Sequence, residues 1–197
     1  EPQSAVLIAW PTADTDWAAR LAEVEDTYIA LVAAITRFEP VLVCVSDADV
    51  EAYARARLSS ARVEMGRVRF VELPYDDTWL RDTGPITLRN ADGFDLLDFR
   101  FTGWGGKFGA SRDDRVVEGL HAMGLFPDGT RQPIDFALEG GAIETDGAGT
   151  LLTTWRCLSE RHPGVSRAQL TERLSGWLAQ DRVLWLDHGY LEGDDTD

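Results

Sequence analysis

Three carboxylates and an indole crowd into one stretch of the chain, Tyr75-Asp76-Asp77-Thr78-Trp79-Leu80-Arg81-Asp82-Thr83-Gly84-Pro85. A carboxylate can hold a planar guanidinium through two parallel N–H bonds, and an indole face three residues away can add a cation–π or stacking contact. Asp82 with Trp79 therefore reads as a socket for an organic cation. The same residues also fit a structural part, with Asp82 capping a turn, Arg81 paired to a nearby acid and Trp79 in the core. A second acid, Glu139, sits beside paired glycines in Leu138-Glu139-Gly140-Gly141-Ala142. Paired glycines let a backbone approach a ligand closely, and they also make plain bends. Phe101-Thr102-Gly103-Trp104-Gly105-Gly106-Lys107 offers an aromatic in a glycine-rich loop. Its glycine spacing matches neither a phosphate-cradling loop nor a dinucleotide fingerprint, so nucleotide binding is rejected.

Nucleophile candidates are poor. Cys44 lies in the apolar run Val41-Leu42-Val43-Cys44-Val45 and reads as a small core residue. Cys157, five residues before His162, has the apolar neighbour Leu158 and falls in a short helix, which favours a structural part over a small cysteine hydrolase. His121, His162 and His188 lack metal-ligand spacing, so no metal site is expected. The 34 Asp+Glu against 19 Lys+Arg leave a net charge of −15. That balance argues against a nucleic-acid partner, suits a cationic ligand, and in the main serves solubility. The absence of a long apolar run argues against a membrane span, and two cysteines are too few for a disulfide scaffold, so a cytoplasmic setting is expected.

The elements that must position these residues follow from periodicity. Ala5 to Trp10 is a short apolar run closed by Pro11 and reads as a buried strand. A helix follows, with Asp14 and Asp16 as capping candidates and apolar Trp17, Leu21, Val24, Tyr28, Leu31, Ile35 and Phe38 at helical spacing up to Pro40. Pro40 to Val45 is a second strand, Asp47 to Leu58 a helix capped by Ser46 or Asp47, and Arg67 to Leu73 a third strand. This βαβαβ order predicts an α/β fold. Further on, Asn90-Ala91-Asp92-Gly93 and Asp146-Gly147 each predict a hairpin, Asp113 to Met123 and Ser166 to Ala179 predict helices, and Arg182 to Leu186 predicts a strand. Arg67 to Tyr75 aligns without gaps with Arg182 to Tyr190, and each is soon followed by Asp-Asp-Thr, at Asp76-Asp77-Thr78 and Asp194-Asp195-Thr196. The two stretches can be equivalent parts of a repeated architecture.

Taken together, Glu1 to Pro11, Asp77 to Pro85, Trp104-Gly105-Gly106-Lys107, Glu139-Gly140-Gly141 and Gly193-Asp194-Asp195-Thr196-Asp197 resemble the agmatine deiminase and bacterial peptidylarginine deiminase family, in family order across the whole chain. The resemblance implies a pseudo-symmetric α/β propeller of the pentein type, with five blades and ligand-binding loops around a central axis. It implies hydrolysis of a guanidinium carbon. A cysteine thiolate attacks, ammonia leaves, and water releases a ureido product, N-carbamoylputrescine from agmatine or citrulline from an arginyl group. No cofactor takes part, and a route to putrescine and the polyamines is implied. Asp82 matches a catalytic carboxylate that grips the guanidinium. Trp79 matches the aromatic beside it, Glu139 matches the acid of the glycine-paired motif, and Trp104 counts with them as a substrate-binding residue. The partners implied are a small cationic guanidino substrate and a second copy in a homodimer, without nucleic acid or membrane.

The family's Gly-Asp-Asp-Thr-Asp continues into Gly-His-x-Asp, which brings the catalytic histidine and a second carboxylate, and the nucleophilic cysteine comes later still. Residues 1–197 are accordingly expected to be the N-terminal part of a single deiminase domain, about three of five blades, without turnover of its own. Neither Cys44 nor Cys157 stands at the nucleophile's place. Ala142 stands where agmatine-specific members commonly carry Asn, and Thr102 stands where an Asn commonly precedes Trp-Gly-Gly, which keeps other guanidino compounds in range. The alternative is a non-catalytic domain that binds a guanidinium cation.

Overall fold

A computed structural model describes residues 3–190. The repeated Asp-Asp-Thr at 194–196 and the family-like stretch at 193–197 lie outside the described residues. Among the described residues the fold is mixed α/β, with three separate three-stranded sheets. The chain divides into two compact units, Glu1–Leu80 with Ser111–Val116, and Arg81–Ala110 with Val117–Asp197.

In the first unit, β1 (Val6–Ala9), β2 (Val41–Val45) and β3 (Val68–Glu72) form an all-parallel sheet in the order β1-β2-β3. Parallel strands need crossovers, here α1 (Leu21–Ile35) and α2 (Ala48–Ser60). Val32 from α1 and Ala54 and Leu58 from α2 join Ile8, Trp10, Val41, Val43 and Val45 in one core. Asp47 caps α2 as expected, its side chain accepting from the N–H groups of Asp49 and Val50. Helix α1 departs from expectation at both ends. It follows a tight turn over Ala18–Arg20 with no side-chain cap, so neither Asp14 nor Asp16 caps it. The reason is tertiary: the Asp16 N–H donates to Asp77 and the Trp17 indole to Thr78, which hold this segment against the loop after β3. At the other end the helix stops at Ile35, and Phe38 is 78% exposed.

In the second unit the two remaining sheets share one topology. β4 (Ile86–Arg89) pairs antiparallel with β5 (Phe94–Arg100), which pairs parallel with β6 (Gly129–Ala137). Likewise β7 (Ile143–Thr145) pairs antiparallel with β8 (Thr150–Thr154), which pairs parallel with β9 (Arg182–Leu186). Both hairpins stand where Asp-Gly predicts them. β6 is the strand that periodicity does not announce. It carries Pro133 among polar residues, and its edge position is where a residue without an N–H is tolerated. β3 and β9, which carry the internal similarity, are each the third strand of a sheet and pair parallel with the middle one.

The helical pieces are α3 (Leu80–Thr83), α4 (the tight turn Gly103–Gly106), α5 (Val116–Ala122), α6 (Trp155–Arg161) and α7 (Arg167–Leu178). Ser166 and Gln169 form a reciprocal capping box on α7, whose Leu170, Leu174 and Leu178 recur every four residues on its buried face. They pack with Leu97, Phe99, Phe136, Leu138, Leu151 and Leu158 in a core lying wholly in the second unit.

Candidate functional site

In the first unit the loop after β3 is pinned rather than free. Tyr75 is buried and its hydroxyl donates to the Trp10 carbonyl at 2.6 Å. The backbone N–H groups of Asp76 and Asp77 donate to the Asp113 carboxylate, at 2.7 and 3.2 Å, while the Arg112 N–H donates to Asp76. Burial pushes the Asp113 carboxyl up to about 6. Burial likewise raises Asp77, whose Oδ1 and Oδ2 accept from the N–H groups of Thr78 and Asp16. Asp76 and Asp77 thus act as loop fasteners. What they fasten is Trp79, which is 38% exposed rather than core. Its ring meets that of Trp17 at a centroid distance of 5.2 Å, and Trp17 is fixed by its indole N–H, which donates to Thr78 Oγ1 at 2.7 Å. An exposed, braced indole is suited to a cation or an alkyl chain.

In the second unit, Asp82 and Trp104 meet directly. Asp82 Oδ2 accepts from the Trp104 indole N–H at 3.1 Å, and Oδ1 accepts from the Gly141 N–H at 2.9 Å. The paired glycines are required by this approach. A Cβ at Gly141 would stand 2.2 Å from Asp82 Oδ1, and one at Gly140 would stand 2.3 Å from the Arg81 carbonyl. The close approach is therefore to the protein's own Asp82. Trp104 adopts a left-handed backbone (φ 55°, ψ 47°), an arrangement that costs a residue with a Cβ roughly 1–2 kcal/mol. The turn is stabilised by Thr102, whose Oγ1 accepts from the Gly105 N–H, and by edge contacts of the indole with Phe101 and Phe108. Each Asp82 oxygen keeps a lone pair after these bonds, so a forked cation can still be held. Burial raises the Asp82 carboxyl, the Trp104 and Gly141 donors oppose the rise, and the charge of Glu139 adds to it.

Glu139 is buried and paired inside the chain. Its Oε1 accepts from Arg161 Nε at 2.7 Å, with the two side chains 4% and 1% exposed. Its Oε2 is buried and has no hydrogen-bond partner among the described residues. Arg161 is the residue that the sequence motifs miss. It sits at the last turn of α6, 22 residues from its partner, and no local pattern links the two.

The other candidates are occupied structurally. Cys44 and Cys157 are 1% and 3% exposed, and burial pushes the Cys44 thiol up to about 12. His162 stacks on Phe136 at 3.7 Å with Nε2 2.8 Å from the Ala137 carbonyl, and burial lowers its pKa. His121 Nε2 lies 3.2 Å from the Gly129 carbonyl.

The family model described as Porphyromonas-type peptidyl-arginine deiminase matches residues 1–197. The chain belongs to that family. Among curated members of similar sequence, the agmatine deiminase of Stutzerimonas stutzeri is 39% identical over 204 residues, covering 100% of this deiminase-family chain and 53% of the relative. A cysteine-to-serine variant of the C. jejuni agmatine deiminase with substrate bound superposes with a TM-score of 0.86 at 28% identity, over 99% of this chain and 56% of that one. The agmatine deiminase of Enterococcus faecalis superposes with a TM-score of 0.82 at 30% identity, over 94% and 51%. The chain spans about half the length of the curated relatives it matches.

Proposed function

We propose that the protein carrying this chain is a guanidino-group hydrolase of the agmatine or peptidylarginine deiminase type. Under this reading residues 1–197 are the N-terminal part of a single pentein domain, about three of five blades. Three sheets of similar size support the blade count, two of them sharing one strand order and pairing. The observation that carries the function is the Asp82 carboxylate. It is oriented by the Trp104 indole and the Gly141 N–H, in a family whose members include agmatine deiminases.

Charge supports the same reading. Asp82 and Glu139 together bring two carboxylates; Arg161 offsets Glu139, and Arg81, whose charge also acts on Asp82, is 66% exposed and also faces Glu144, so negative charge remains for a cation. In this reaction Asp82 grips the guanidinium nitrogens. Trp104 lines the substrate, and the charge of Glu139 acts on Asp82. A thiolate adds to the guanidinium carbon, forming a C–S bond. The C–N bond then breaks, and the nitrogen leaves as ammonia after taking a proton from a histidine. Water finally cleaves the C–S bond to give the ureido product and the free thiol. Burial of Cys44 and Cys157 argues against either as that thiol. A small cationic guanidino compound is the substrate, with no cofactor, and a homodimer is the assembly proposed.

The test is incubation of the full-length protein with agmatine, free arginine and arginyl peptides, reading ammonia and ureido product. The expected result is turnover of at least one, lost in Asp82→Asn by about 100-fold or more in kcat/KM. Calorimetric binding of agmatine without product would overturn catalysis in favour of a cation-binding domain.

A further inference from the structure

The Glu139–Arg161 pair raises a question that stability alone does not answer. A buried ion pair is weak evidence for stability, because the desolvation of two charges offsets much of their attraction. This pair also leaves Glu139 Oε2 buried with no partner among the described residues, although buried polar atoms are nearly always satisfied. Arg161 meanwhile contacts a second part of the same site. A Cβ at Gly105, the residue after Trp104, would come within 3.1 Å of the guanidinium Nη1. The guanidinium therefore lies against both the Glu139 carboxylate and the turn that carries Trp104, the indole of which holds Asp82.

We propose that Arg161 is a positioning residue for the deiminase reaction, binding Glu139 through Oε1 so that the buried Oε2, which has no hydrogen-bond partner among the described residues, is held in one orientation. The inference rests on the function proposed above and deepens it. Arg161 suits this task because its planar guanidinium directs an N–H along a defined line, where a lysine would supply only a point charge. Its anchorage is internal: it stands on α6, three residues after buried Leu158, and its side chain is 1% exposed, so it does not itself meet substrate from solvent. Gly105 completes the arrangement, since any side chain there would press on the guanidinium.

The test compares full-length wild type, Arg161→Gln, Arg161→Lys, Glu139→Gln and the Glu139→Gln/Arg161→Gln double variant. The reading is kcat and KM per folded molecule, with the folded fraction taken from circular dichroism. Arg161→Gln is expected to lower kcat by about 100-fold with KM little changed, because misorientation of a reacting group acts on the chemical step. Arg161→Lys should recover part of that loss. The double variant, which leaves no buried charge unpaired and so guards against misfolding, should be no slower than Glu139→Gln alone. Wild-type kcat in folded Arg161→Gln overturns the proposal and leaves the function standing. So does a loss from Arg161→Gln that is equally large in the Glu139→Gln background. Absence of turnover of any guanidino compound by the wild type overturns the function and this proposal together.

Discussion

Asp82 is pulled in two directions. Burial and the charge of Glu139 raise its carboxyl, whereas the N–H groups of Trp104 and Gly141 stabilise the ionised form. Trp104→Phe removes one donor and is expected to raise the Asp82 pKa further. Glu139→Gln removes the like charge and is expected to lower it. A carboxyl-carbon NMR titration of Asp82 checks both signs, and shifts in the same direction for the two variants would overturn this account. The pairing of Asp82 with Trp104 was only half legible beforehand. Their residue types mark them as cation-binding candidates, but nothing in a 22-residue separation says that one donates to the other. The glycine pair was legible as a close approach, though its partner was not. Arg161 was not legible at all, because a buried arginine looks like a surface one until its carboxylate is known.

At the scale of elements, the loop Tyr75–Trp79 owes its shape to residues distant in sequence. Asp113, 36 to 37 positions away, accepts from its backbone, and Asp16 and Trp17, 61 positions away, donate to its side chains. Because Asp113 is pushed up to about 6 from an unfolded value of ~3.9, the folded unit binds its proton more tightly. The stability this contributes is fully present below pH ~4 and lost as pH rises to about 6. Asp113→Asn abolishes the titration. The difference in melting temperature, wild type minus variant, should therefore fall between pH 4 and 6 and stay flat above. A flat difference throughout would overturn the assignment. Strands and helices were mostly legible, since βαβαβ periodicity, two Asp-Gly hairpins and the Ser166 cap are local signals. The start of α1 and the existence of β6 were not. The first is set by contacts with Asp77 and Thr78, and the second is a polar, proline-bearing edge strand stabilised by pairing with β5.

Across the whole molecule, each unit has its own apolar core, one around Val41, Val43 and Leu58 and the other around Leu158, Leu170 and Leu174. Leu174→Ala is expected to cost about 2–5 kcal/mol. Hydrogen exchange should register the loss chiefly in residues 81–110 and 117–190, with 3–80 much less affected. Equal loss in both would show that the cores do not act separately. No helix among the described residues is long and apolar enough to cross a membrane. Of the −15 net charge, Asp82 and Glu139 are the acids with a proposed ligand-directed part, while Asp76, Asp77 and Asp113 fasten a loop. The sequence by itself determined the α/β class, the family, and the residue types gathered in its motifs. All three are written in short spacings that local physics can read: hydrophobic period, turn chemistry, and glycines beside acids. Only the tertiary structure decided which acid is ion-paired, Glu139 with Arg161, and which is held by neutral donors, Asp82 by Trp104 and Gly141. Burial and a partner far along the chain set the surroundings and direction of a carboxylate, and neither is a property of its neighbours in sequence.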